Sequence, residues 1–295
     1  MKIQFLNGGL ANQTFQYIFS RYYELSHPGE IMYLDDSYFA QNTVHNGYEL
    51  EKVYGVKPHM LSECFDADVW EYMLSERRNG KSIPQIFCES GSQMYMISEV
   101  GGEHKNFNPF DGTVCTIPCN DYIPRVMDAR GDVYYHGYWL NRKWFDTYKE
   151  VFWKELSFPE LSDEKNRQYM NAIQSTNSLA VHIRRGDFVK LGFAFDENTY
   201  RYFVDNFVLR YTADWDVFVF SDDIAWCRGN MDALGLRLFR TVHFVEGNVD
   251  GKNYIDLQLM SCCKGMIMSN SSFSFLAALL NQNAKVVYNL TTREF

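Results

Sequence analysis

Blocks of apolar residues alternate along this chain with polar, glycine-containing turns, and their spacing predicts a succession of short strands and helices. Residues 2–6 predict a first strand, and 7–13 follow as a loop holding Gly8 and Gly9. From 12 to 25 the apolar positions Phe15, Ile18, Phe19, Tyr22 and Leu25 recur at helical spacing. Residues 31–34 predict the next strand, closed by Asp35-Asp36-Ser37. This β–loop–α–β start suits a nucleotide-binding-like half. The loop is not the GxGxxG fingerprint, so dinucleotide binding is not supported. Residues 40–130 are less regular, with a helical piece at 62–78 among turns at Gly91, Gly101-Gly102 and 106–109. Residues 133–138 predict a strand, 140–158 an aromatic-rich helix ended by Pro159, and 160–176 a polar helical passage between domains.

The second half alternates strand and helix cleanly. Strands are expected at 178–183, 216–220, 242–245, 265–269 and 285–289, with helices at 200–211, 224–234, 256–264 and 273–282. The fold class is therefore α/β, as two domains, 1–158 and 159–295, with a cleft between them.

The run at 178–183 ends in Arg184-Arg185-Gly186-Asp187. Ligands of open α/β sheets gather beyond the carboxyl ends of strands. Arginine there offers charged, bidentate donors suited to phosphate oxygens, so the doublet reads as a pyrophosphate clamp. An arbitrary Arg-Arg pair is more often a solvated surface pair; the buried-looking strand before it shifts the balance. His182 falls on the same side of the strand as Arg184. Asp187 is expected to salt-bridge one arginine. Arg185-Gly186-Asp187 also spells an adhesion triplet, but nothing suggests the exposed loop of an extracellular protein. A second strand-end loop, Asn270-Ser271-Ser272 before Phe273, aims N–H groups and hydroxyls at one point, where a helix dipole favours an anion. Ordinary capping explains it equally well when taken alone. In the Asn7–Gln13 loop, Asn12 and Gln13 are open to capping the helix or touching a ligand. Asp222, in Ser221-Asp222-Asp223, is open to ribose, metal or capping roles. Asp66-Ala67-Asp68 and Asp214-Trp215-Asp216 match the DxD pattern of metal-using transferases, yet neither clearly follows a strand and an acidic chain makes such triplets by chance. No metal is expected.

Composition narrows the classes. A net charge of −9 argues against nucleic acid or anionic membrane as bulk partners. At 46% hydrophobic and 17% aromatic, 295 residues can bury a large core. The seven cysteines lack CxxC spacing and read as reduced thiols of a cytoplasmic protein. In that setting the N-glycosylation triplets starting at Asn12, Asn270 and Asn289 carry no meaning. No stretch reaches the ~18 apolar residues of a transmembrane segment, while peripheral proximity to a membrane stays open.

Gly8-Gly9-Leu10-Ala11-Asn12-Gln13 with Phe15-Gln16-Tyr17, then Gly137-Tyr138-Trp139, His182-Ile183-Arg184-Arg185-Gly186-Asp187 and Asn270-Ser271-Ser272-Phe273-Ser274, occur in that order. Together they resemble the bacterial α-1,2-fucosyltransferases of glycosyltransferase family 11. The resemblance implies two Rossmann-like domains in the GT-B architecture, with GDP-β-L-fucose held mainly by the C-terminal half. It implies metal-independent, inverting transfer to the 2-hydroxyl of a terminal β-galactoside, GDP-fucose being a substrate and no cofactor being needed. By similarity, Arg184 contacts the β-phosphate with Ser271 and Ser272, His182 and Asp256 read the guanine edge, and Asn12 approaches the donor from the other half. Arg185, Asp222, Asn270 and Phe273 complete the donor set. Ala11, Thr14, Leu140 and Phe275-Leu276 depart from the family's pattern, none of them in the clamp, and these put the acceptor in doubt more than the donor. A proton acceptor for the incoming hydroxyl is not identified: Asp187 is a candidate by proximity, Asp196 and Glu197 weaker ones. Two alternatives stand, the same fold with another GDP-sugar or linkage, and a glycan- or GDP-binding module without catalysis.

Overall fold

The computed structural model describes residues 1–42, 45–100 and 114–291. The turns expected at Gly101-Gly102 and 106–109 lie outside the described residues. The chain forms two compact units, Met1–Ser157 and Phe158–Phe295, and each is an α/β unit on a parallel sheet.

In the first unit the strands are β1 (Lys2–Phe5), β2 (Met32–Asp35), β3 (Met94–Val100), β4 (Val114–Pro118) and β5 (Asp132–His136). They lie in the order β2-β1-β5-β3-β4, every pairing parallel. The helix after β1 spans Leu10–Ser26, starting earlier than the periodicity suggested, because Gly9 caps it without help from a side chain. Its inner face packs Phe19 flat on Trp139, ring centroids 3.9 Å apart. The single helix expected at 140–158 is instead two, Arg142–Asp146 and Lys149–Glu155. Tyr148 breaks it, with φ −127° and ψ 34°. Trp144, Phe145 and Phe152 are all buried, so core-facing aromatics on both sides of the turn imitate one continuous period. The piece at 62–78 likewise resolves into a short 3₁₀ turn, Leu61–Cys64, and the helix Ala67–Arg78.

The second unit holds β6 (Ser178–Ile183), β7 (Asp216–Ser221), β8 (Thr241–Phe244), β9 (Gly265–Met268) and β10 (Val286–Asn289). Their order is β10-β9-β6-β7-β8, again all parallel. Every residue of β6 and of β9 is buried, as parallel strands covered on both faces require. The chain runs outward from β6 through β7 to β8, then returns to β9 on the other side. The gap between the carboxyl ends of β6 and β9 is therefore the topological switch point, where α/β sheets take their ligands.

Candidate functional site

Both loops singled out in the second half leave the sheet at this switch point. Leu179, Ala180 and Val181 of β6 pair with Gly265, Met266 and Ile267 of β9, so the two strands end side by side. His182 links them: its Nδ1 lies 2.8 Å from the Ser269 hydroxyl. Burial, and then the charge of Arg184, push the imidazole down to about 3, so it is neutral at physiological pH.

The two arginines go separate ways. Arg184 Nη2 donates to Asp187 Oδ1 at 2.6 Å, and its Nη1 sits 3.1 Å from Asp222 Oδ2. The guanidinium lies 5.2 Å from the Phe188 ring and keeps 30% side-chain exposure. Arg185 instead stacks on Trp226 at 3.5 Å, with its Nε 3.6 Å from Asp223. A two-pronged clamp is the expectation; in this structure Arg184 keeps the larger exposure, 30% against 18%, while Arg185 is packed at the strand end. Asp222 organises the cradle from the end of β7, where its Oδ1 also accepts the Arg185 backbone N–H at 2.8 Å. This explains Gly186, since a Cβ there would lie 2.5 Å from Asp222 Oδ2. Asp223 caps the next helix by accepting from Trp226 N. Asp196 is likewise engaged as a cap, accepting from the Thr199 backbone and hydroxyl.

After β9, Ser271 caps the helix Ser272–Leu280 and accepts from the Phe273 N–H at 3.2 Å. Ser272 opens that helix, where unpaired N–H groups and the dipole favour an anion. Asn270 donates to the Phe193 carbonyl at 2.8 Å, tying this loop to the segment that follows Asp187. Its Oδ1 is buried without a partner among the described residues. Phe273 lies 5.9 Å from the His182 ring.

Asp256 stands on the helix Tyr254–Met260 and is partly buried. Burial pushes its carboxyl up to about 7, against the pull of a 2.7 Å hydrogen bond from Asn248. Asn248 is in turn locked into a reciprocal amide pair with buried Asn166, at 2.8 and 3.1 Å. Asn166 and Asn248 escaped the sequence reading, because a lone asparagine in a polar stretch signals only a turn. Ser269 was missed as well, having been assigned to the strand.

In the first unit, Gln13 is structural: it donates to the Gly8 and Gly47 carbonyls and accepts from Glu49 N. Asn12 lies in the first turn of its helix, partly exposed, with its amide packed against Gly8. Gly8 has φ +79°, which favours glycine. A carboxylate that sequence did not flag, Glu99, shapes the loop after β5. It is 1% exposed and accepts the backbone N–H groups of Asn120, Tyr138 and Trp139 at 2.8–2.9 Å. Burial still outweighs those bonds and raises its carboxyl above the usual range. These bonds help to hold Trp139 at φ +58°, and Gly137 is needed because a Cβ would approach Glu99 to 2.6 Å. Among the described residues, no three His, Cys, Asp or Glu side chains are grouped to hold a metal ion. No helix of the described residues is long and apolar enough to cross a membrane.

Two α/β units, each on a parallel five-stranded sheet, and a guanidinium with a capped helix start at the switch point of the second, define the class as an α/β protein. The chain belongs to glycosyl transferase family 11, whose pattern it matches over residues 126–294, and is a glycosyltransferase. It is 29% identical over 285 residues to an Escherichia coli protein named alpha-1,2-colitosyltransferase, spanning 93% of this chain and 86% of that one. It is 22% identical to the O-antigen biosynthesis glycosyltransferase WbnK of Escherichia coli, over 94% and 89% of the two chains. Over a shorter stretch, 38% of this chain and 32% of the other, it is 31% identical to the mouse galactoside alpha-(1,2)-fucosyltransferase 2. Among solved structures, the fucosyltransferase NodZ from Bradyrhizobium superposes with a TM-score of 0.49 at 14% identity, covering 95% and 92% of the chains.

Proposed function

We propose that the protein transfers L-fucose from GDP-β-L-fucose to the 2-hydroxyl of a terminal β-galactoside, with inversion and without a metal ion. The acceptor oxygen forms a bond to the anomeric carbon as the carbon–oxygen bond to the β-phosphate breaks. The bonding electron pair leaves on GDP and the hydroxyl proton passes to solvent or a nearby base. The observation that carries this reading is that Arg184 and the loop opening the Ser272–Leu280 helix follow the ends of paired neighbouring strands. That combination is suited to the charge that grows on a departing diphosphate. Neutral His182 and the carboxylate of Asp256 are assigned to the guanine edge; Phe273, 5.9 Å from the His182 ring, and Asn270 are assigned to the donor as well. Asn12 is assigned to the diphosphate or fucose of the donor, and the first unit to the acceptor. The structure pairs Asp187 with Arg184, and no proton acceptor is assigned. All seven cysteines are free, which supports a reducing, cytoplasmic setting.

A specific observation favours a second donor. The 29%-identical relative is named for colitose, which is fucose without its 3-hydroxyl. The test is product analysis by mass spectrometry after offering GDP-fucose and GDP-colitose, separately and in competition, to lactose, lacto-N-biose and N-acetyllactosamine. Wild type is run beside Arg184→Ala, with chelator and without. Fucosyl product from wild type and its loss in the variant are expected. Product from GDP-colitose alone would move the assignment to the second reading, and none from either donor would sink both.

A further inference from the structure

Resting on that reading, we propose that Asp187 is a resident counter-anion, which occupies the phosphate-binding edge of Arg184 and must be displaced by the donor diphosphate. The two carboxylates around this guanidinium are not equivalent. Asp222 is fixed: besides its contact with Nη1 it accepts the Arg185 backbone N–H, and Gly186 leaves it room. Its side chain is 27% exposed. Asp187 holds Arg184 through one 2.6 Å bond from Nη2 and is 52% exposed. It can swing into water without breaking any other described hydrogen bond. A guanidinium offers donors along planar edges. When Asp187 leaves, the Nη2 side becomes open to a phosphate oxygen while Asp222 keeps the plane oriented.

This explains an otherwise awkward feature, a carboxylate beside the group meant to bind a diphosphate. The pair holds the Arg184 guanidinium in place until the donor arrives. Asp187 then competes with GDP, weakening product retention as well as donor binding. An exposed pair of this kind is weak enough to exchange, and its effect shrinks with added salt.

The experiment is calorimetric titration of wild type, Asp187→Asn and Asp187→Glu with GDP and, separately, with uncharged guanosine. Asp187→Asn is expected to bind GDP about three- to tenfold more tightly than wild type, with guanosine affinity unchanged. Asp187→Glu should return towards wild type. Equal or weaker GDP binding by Asp187→Asn would overturn the proposal, as would equal tightening for guanosine, the mark of a merely structural change. Asp187→Ser serves as the neutral variant if Asn fails to fold. Wild type binding GDP no better than guanosine would fail the phosphate reading of the whole site, a result distinct from the others.

Discussion

Replacing Asp256 by asparagine should make the protein more stable and less able to bind GDP. The carboxyl is pushed from an ordinary 3.8 up to about 7 by burial. Below about pH 3.8 the acid is neutral in folded and unfolded chains alike, and it costs nothing. Between there and pH 7 the unfolded chain loses the proton while the folded one keeps it, so stability drains as pH rises, and the loss is complete above pH 7. Each pH unit in that window is worth about 1.4 kcal/mol. Asparagine is isosteric and keeps an oxygen to accept from Asn248, so the variant escapes this penalty. Its stability advantage over wild type should therefore grow by about 3 kcal/mol between pH 5 and pH 8. Urea unfolding followed by tryptophan fluorescence at the two pH values measures it. If Asp256 accepts hydrogen bonds from the guanine edge in its charged form, GDP binding below pH 7 must also release a proton, and the variant must bind GDP worse at every pH. His182, neutral throughout the window, adds nothing to that proton count. A stability difference that does not change between pH 5 and pH 8 would refute the burial argument. Undiminished GDP affinity in the variant would refute the guanine assignment.

Two further substitutions probe the scaffolding. Gly186→Ala places a methyl group 2.5 Å from Asp222 Oδ2, so the carboxylate must retreat from Arg184. The expected result is a rise of about tenfold in the KM for donor, with the unfolding free energy lowered by no more than an overpacked site costs, roughly 1–3 kcal/mol. An unchanged KM would show that Asp222 does not orient Arg184. Glu99→Gln turns an amide NH₂ towards backbone N–H groups that need an acceptor, and should cost roughly 2–4 kcal/mol in denaturant unfolding. A loss below about 1 kcal/mol would mean that the loop after β5 holds its shape without this side chain.

The strand at 178–183 and its arginines were legible because a doubly buried parallel strand is a continuous apolar run, and charge at its end stands out. The serine loop was legible for the same reason. What the arginines do individually was not, since Asp222, Asp223 and Trp226 reach them from the end of the neighbouring strand, about forty positions on in the chain. Strands β3 and β4 escaped notice; the polar pair Ser98-Glu99 interrupts the apolar run of β3, and Glu99 is buried with three backbone N–H groups as partners. The aromatic run at 140–158 misled in the opposite sense: burial on two short helices produced the period of one. The network of Asn166, Asn248 and Asp256 joins residues 82 and 8 positions apart, which no local pattern reveals.

The most direct test of the central claim is a crystal structure with GDP bound. The β-phosphate oxygens should lie within hydrogen-bond distance of the Arg184 guanidinium and of the backbone or hydroxyl donors at Ser271 and Ser272. A diphosphate seated elsewhere, with Arg184 still held by both aspartates, would contradict the account.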